Sequence, residues 1–235
     1  MHDPGRQRLR AVAIGSDASA PLAAPSWMSV ALATVAFCSL GTAALAFFVQ
    51  SARAPLLRED GIVETAAVLF LACAVLIAAA ATAKHGLRIP LVVAGGLALI
   101  ELLDELSFGA RLFGFAPPAL HGGGELDGVH DLLIVGYRLL NESYSGLGIV
   151  WLGGMIALSV TAFGAALRQT TREDARSWLS DHGLLAFHVG LVGLAQVFDV
   201  GATSRIAGAI EEVLELNAAI VLAFYAAQQA LEPGR

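Results

Sequence analysis

The stretch SWMSVALATVAFCSLGTAALAFFVQ, residues 26–50, holds no charged side chain. A helix crossing ~30 Å of hydrocarbon needs about 20 mostly apolar residues, and lipid leaves only helices or closed barrels able to satisfy the backbone. A run of this length therefore reads as a membrane-crossing helix. Working outward, GIVETAAVLFLACAVLIAAAATA, residues 61–83, carries Glu64 as its only ionisable group. A third run starts at Pro90, suited to a first helical turn, and reaches Leu106 with three acids in its last part. Ser145 to Leu167 is uncharged and glycine-rich, Gly183 to Val200 forms a fifth run, and Ile206 to Ala230 carries Glu211, Glu212 and Glu215. The expected fold is all-α: a six-helix transmembrane bundle with an extracytoplasmic cap between helices 3 and 4. Residues 26–235 then make one integral membrane domain behind a loose polar tail, residues 1–25.

Composition agrees with the long runs. Of 235 residues 57% are hydrophobic and 14% charged, against about 25% charged in soluble domains. The net charge of -6 and the lack of a Lys/Arg tract exclude nucleic acid as a partner. Cys38 and Cys73 both lie in apolar runs and read as buried thiols, not as a disulfide or a Cys-based zinc site. The first run exceeds the ~7–15 apolar residues of a secretory h-region, so it reads as an uncleaved helix despite Ala52-Arg53-Ala54 behind it.

Six crossings place both termini on one side. Arg6, Arg8, Arg10, Lys84, Arg88, Arg168, Arg172, Arg176 and Arg235 share that side, which the positive-inside rule makes cytoplasmic. Arg53, Arg58, Arg111, Arg138 and Arg205 fall outside. The long interruption from Ser107 to Tyr144 contains Pro117-Pro118, the Gly122–Gly124 turn and an apolar run from Leu132 to Leu140. It reads as an outer cap with one interfacial helix.

This topology gathers acids at the outer helix ends. Glu64 sits near the start of the second span, Glu101, Asp104 and Glu105 near the end of the third, Asp199 at the end of the fifth, and Glu211, Glu212 and Glu215 early in the sixth. At ~1.5 Å per residue Glu215 lies roughly 13 Å below its helix start. Charge at such depth costs at least ~2.5 kcal/mol, so these groups face the interior, pair, bind a cation or stay protonated. A mostly carboxylate set with at most one imidazole, His130, suits Mg, Ca or Mn better than Zn. Plainer roles stand beside this one. Glu59 and Asp60 serve a helix dipole, Asp181 reads as a cap, and His188 as a hydrogen-bonded core residue. Arg111 reads equally as a salt-bridge partner of Asp104 or Glu105 and as an anion site. No G-x-S-x-G, G-x-G-D, P-loop or dinucleotide fingerprint is present, and the prenyl-protease pattern fails because Gly109 stands four residues after Glu105.

Arg58-Glu59-Asp60-Gly61-Ile62-Val63-Glu64, then Asp104-Glu105-Leu106-Ser107-Phe108-Gly109-Ala110-Arg111-Leu112-Phe113-Gly114, then Gly124, Glu125 and His130, form a series. It resembles a group of uncharacterised bacterial multi-span membrane proteins with the patterns E-D-G-x-x-E, E-E-x-S-W-G-Q-R-x-F-G and G-E-x-x-x-H. Asp104, Phe108 and Ala110 depart from Glu, Trp and Gln of those patterns, and Glu211-Glu212 with Glu215 resembles the group's late acidic helix. The resemblance implies a bacterial plasma-membrane protein and a site, but no activity.

Three functions compete. The first is an outer-face enzyme acting on a lipid or lipid-linked substrate. In it Glu64, Asp104, Glu105, Glu212 and His130 hold a hard divalent cation, Glu105, Glu125 and His130 handle protons, and Arg111 and Ser107 meet substrate. Glu101, Asp199, Glu211 and Glu215 are then structural or proton-sharing. The second is a non-catalytic subunit docking on a partner helix through Gly146, Gly148, Gly153, Gly154, Gly190 and Gly193. The third, proton- or cation-coupled transport, ranks last because the cytoplasmic halves show no matching acids. Single-cysteine labelling in a chain lacking Cys38 and Cys73 checks the orientation. Tail positions are expected to react only from the inner side and positions 107–144 only from the outer side; the reverse pattern overturns it.

Overall fold

The computed structural model describes residues 26–57, 61–126, 128–144, 146–150, 153–154, 172–201 and 205–232. Among these the chain is helical, with no strand beyond an isolated bridge between Ala119 and Glu125. The helices are α1 (Trp27–Phe48), α2 (Gln50–Leu57), α3 (Ile62–His85), α4 (Ile89–Glu105), a 3-10 turn (Ser107–Gly109), α5 (Ala110–Phe113), α6 (Val129–Ser143), α7 (Arg172–Gly201) and α8 (Arg205–Leu231). The expected tail, and Glu59 and Asp60, lie outside the described residues. So does most of the expected fourth span, which is helical at 147–150 and 153–154.

Local chemistry sets the helix ends. Ser26 caps α1, its Oγ accepting the Ser29 N–H at 3.1 Å. Gly86, at φ 83, ends α3 in a conformation that a side chain would strain. The chain then turns through extended Arg88 into α4, with Pro90 in the first turn where its missing N–H costs nothing. α2 follows α1 after Val49 and was not visible as a helix in the hydropathy; Pro55 sits in its last turn. α7 begins at Arg172, well before the expected Gly183. Its early turns are charged and need no apolar burial, so a hydropathy boundary cannot find them. Asp181 therefore lies inside a helix and caps nothing.

The bundle is organised around α8, which packs against α1, α3, α4 and α7. Every residue from Leu216 to Ala223 is buried, as are Tyr225 and Ala226. A helix buried on all faces lacks the polar flank of a surface helix. Its polar residues are satisfied internally: Asn217 Nδ2 donates to Ser39 Oγ at 2.9 Å, and Ser39 Oγ donates back to Asn217 Oδ1 at 3.2 Å. Among the described residues no buried side-chain N or O atom lacks a partner.

The buried positions of α3 and α4 are mostly alanine, with Leu71 and Leu91 among them, while many large apolar side chains are exposed. α3 turns Ala67, Leu71, Ala74, Ala78 and Ala81 inward and leaves Leu69 and Leu76 exposed; α4 buries Ala94 and Ala98 and exposes Leu99 and Ile100. α1 exposes Phe37, Leu40, Phe47 and Phe48. Cys73, expected to be buried, is exposed, because it falls off the α3 stripe that faces the core; Cys38 is half-buried. Two helices, Trp27–Phe48 and Ile62–His85, are long and apolar enough to cross a membrane, with mean hydropathy of 2.0 and 2.5. α4 is short and ends in acids, and α7 and α8 carry several charges, so the described residues show two such spans, not six.

The α3–α4 contact is close. A Cβ added at Gly95 would lie 3.0 Å from Ala78 Cβ, whereas one at Gly96 meets nothing within 4 Å. Gly95→Leu is expected to destabilise the bundle by about 1–3 kcal/mol through overpacking. Gly96→Ala is expected to be neutral or to stabilise by up to ~1 kcal/mol. Thermal unfolding of both variants in detergent measures the contrast, and equal melting temperatures would contradict the packing.

Candidate functional site

The acids converge at the end of the bundle where α4 stops and α3 and α8 begin. α4 brings Glu101, Asp104 and Glu105 within its last two turns, all half-buried, and α8 brings half-buried Glu211, Glu212 and Glu215. Glu105 lies within electrostatic reach of Glu215, Glu212, Asp104 and Glu101. Two helices thus place five carboxylates close enough to feel one another.

Glu64 has a different role. It is buried in the first turn of α3 and forms an ion pair with Arg111. The same Arg111 Nη1 donates to the Glu105 backbone carbonyl at 2.9 Å. Arg111 therefore ties the start of α3 to the end of α4 and meets the exposed carbonyls of a helix C-terminus, where positive charge is favoured. Sequence spacing had suggested the Asp104 or Glu105 side chain as its partner, and the pair with Glu64 was not foreseen.

The turn between α4 and α5 makes this reach possible. Ser107 and Phe108 have φ of 47 and 52, and Gly109 follows at φ 94. The two non-glycine residues occupy left-handed backbone at a cost of roughly 1–2 kcal/mol each. The reversal points α5, and with it Arg111, back across α3. Strain of this kind collects at functional sites and persists only where its surroundings enforce it.

A second side-chain link runs deeper. His188, 1% exposed, lies between two helices. Its Nδ1 is 3.0 Å from the Ala218 carbonyl on α8, and its Nε2 is 2.9 Å from Glu101 Oε1 on α4. A carbonyl accepts and cannot donate, so Nδ1 carries a hydrogen and the tautomer is fixed. His188 is the core hydrogen-bonding residue expected, but its link to Glu101 was not foreseen. A fifth span drawn from Gly183 puts His188 near the wrong end of the bundle.

The segment expected to form a cap packs on α4 through α6. Gly122, Gly123 and Gly124 all have positive φ and turn a tight loop. Arg138 of α6 donates to the carbonyls of His121 at 2.8 Å and Gly123 at 2.7 Å, and His121 Nε2 meets Glu142 at 2.8 Å. The expected interfacial helix over 132–140 is α6, and Asp131 closes its first turn by accepting the Gly128 N–H at 3.1 Å.

The remaining predicted residues divide by location. Ser107 is half-buried at the strained turn, next to the acids. Glu125 is exposed on the cap loop and takes no part in the interactions that join the acids. His130 stands in the first turn of α6 and Asp199 in the last turn of α7, and their side chains lie outside the described residues. No three His, Cys, Asp or Glu side chains among the described residues meet in a metal-ligand arrangement. Of the glycines expected at a helix partner, Gly148 packs inside the chain, 2.7 Å from Tyr137 to a built Cβ. Gly153, Gly154, Gly190 and Gly193 meet nothing within 4 Å, and Gly146 has φ 91 and serves a turn.

No family model, curated protein or solved structure matches the chain. The motif resemblance stands on its residues alone and assigns no activity.

Removing Arg111 while keeping Glu64 strands a buried carboxylate. Arg111→Gln is expected to destabilise by about 2–3 kcal/mol, below the ~3–5 kcal/mol of a fully buried pair because Arg111 retains exposure. Arg111→Gln with Glu64→Gln is expected to recover most of that loss. Chemical unfolding of both variants reads the coupling, and an unchanged Arg111→Gln midpoint would show that the pair is not formed.

Proposed function

We propose that the chain is an integral protein of a bacterial plasma membrane, crossing it with a six-helix bundle whose termini are cytoplasmic. Its acidic end, facing outward, binds a hard divalent cation and serves an enzyme acting on a lipid or lipid-linked substrate. The membrane part is supported by the alanine-rich contacts of α3 and α4 and by the many large apolar side chains that face out. That is the arrangement of helices packed in lipid, where burying large side chains brings no hydrophobic gain.

The single observation that carries the site is Glu105 among four other carboxylates on α4 and α8. Negative groups gathered in a poorly hydrated setting are neutralised by a cation or by shared protons. Glu105, Asp104 and Glu212 are the carboxylates that would have to draw together around Mg, Ca or Mn, ions that take oxygen ligands. The strained Ser107–Phe108 backbone beside them supports chemistry at this end over a purely structural cluster. A bound ion would polarise a substrate oxygen or supply a water nucleophile. Glu64, tied to Arg111, acts as the scaffold of that site.

A second reading, proton-coupled transport, is favoured by His188, a buried titratable side chain that meets Glu101, one of the clustered acids, at 2.9 Å.

Binding of Mn, Mg or Ca to the purified chain tests the first reading. A cation at 100 times its dissociation constant is expected to raise stability by about 2.7 kcal/mol. Glu105→Gln and Glu212→Gln should each abolish the rise, whereas Glu125→Gln, on the exposed loop, should leave it. No metal-dependent rise in the unmodified chain would defeat the cation site.

A further inference from the structure

At the end of the bundle opposite the acids, a cavity of about 120 Å³ is lined by Arg88, Pro90, Asp181, His182, Gln228, Gln229 and Glu232. We infer that this cavity is a binding site for the phosphoethanolamine headgroup of a membrane lipid, with phosphate on Arg88 and ammonium on Asp181. This inference rests on the membrane reading above and on nothing at the acidic end.

Charge placement carries the argument. Arg88 Nη1 donates to the Gln229 carbonyl at 2.7 Å, which holds the guanidinium at the cavity wall. Asp181 lines the same cavity, yet among the described residues neither side chain forms an ion pair. Opposite charges in one small, partly dry space act strongly on whatever enters it, and a guest that carries both signs satisfies both. A guanidinium takes phosphate oxygens in a fork and a carboxylate takes an ammonium.

The walls are built rather than loose. Gln228 Nε2 donates to the Ser180 carbonyl at 3.1 Å and Gln229 Nε2 to the Asp181 carbonyl at 2.9 Å. His182 Nδ1 meets the Tyr225 hydroxyl at 2.9 Å, and Trp27 Nε1 donates to Glu232 at 3.1 Å. A drug-sized ligand needs ~300–1,000 Å³, so this volume takes a headgroup and not a whole molecule.

The rim indicates where the rest of that molecule lies. Leu87 and Ile89 flank Arg88 and are 83% and 80% exposed, and Leu179 and Leu231 are exposed close in sequence to the other lining residues. A polar pocket edged with apolar side chains and tryptophan is the setting of a lipid–water interface. Acyl chains lie against the leucines while the headgroup enters the pocket.

Native mass spectrometry of the full chain, delipidated and given equal phosphatidylethanolamine, phosphatidylglycerol and phosphatidylcholine, tests this. Phosphatidylethanolamine should be retained at least threefold over the others. Arg88→Gln and Asp181→Asn should each remove that preference while melting stays within a few degrees of the unmodified chain. Equal retention of the three lipids, or unchanged preference in the two folded variants, overturns the site. Soluble phosphoethanolamine competing as well as the lipid overturns the lipid source. Release of the chain from membranes by alkaline carbonate would instead defeat the membrane reading, a result read without any lipid added.

Discussion

One helix is closed in along its middle, where every residue from Leu216 to Ala223 is buried. α8 is enclosed by α1, α3, α4 and α7, and each polar group it carries must find a partner in the bundle or at its ends. Ser39 answers Asn217, the Ser180 and Asp181 carbonyls answer Gln228 and Gln229, and the acids of its first turns meet those of α4. The same enclosure requires close approach by the neighbours, which is why α3 and α4 present alanine and glycine to the interior. Large side chains displaced from that interior fill the perimeter. A central polar-ended helix and an apolar periphery are thus two results of one packing condition.

The two ends of the bundle then differ in kind. At the acidic end like charges are brought together, and Arg111 secures the helices from the side by pairing with Glu64 and the α4 carbonyl. At the other end both signs of charge are present and backbone carbonyls occupy the side-chain donors. The first arrangement gathers one sign of charge; the second sets both signs around one cavity.

Helices over 27–48, 62–85, 89–105 and 205–231 were legible because apolar length is a property of the local sequence. The cap helix was legible for the same reason, its apolar run standing between a glycine turn and a polar stretch. Boundaries set by polar and charged residues were not: α2 buries little, the first turns of α7 are charged in sequence, and hydropathy marks only apolar runs. That shortfall propagated. Starting the fifth helix at Gly183 hid the contact of His188 with Glu101, since the depth of a residue is counted from the helix start. Arg111 shows a second kind of limit. Its sequence distance to Asp104 and Glu105 suggested a local pair, but the positive φ of Ser107 and Phe108 turns the chain toward α3, and no periodicity encodes a turn of that type. The gathering of acids from α4 and α8 followed from topology; which of them touch did not.

The carbonyl of Ala218 does more than hold a ring in place. Because it accepts the hydrogen on Nδ1, the ring presents Nε2 to Glu101 at 2.9 Å in a single orientation, so one side chain of α7 touches both α4 and α8, and turning it would break both contacts at once.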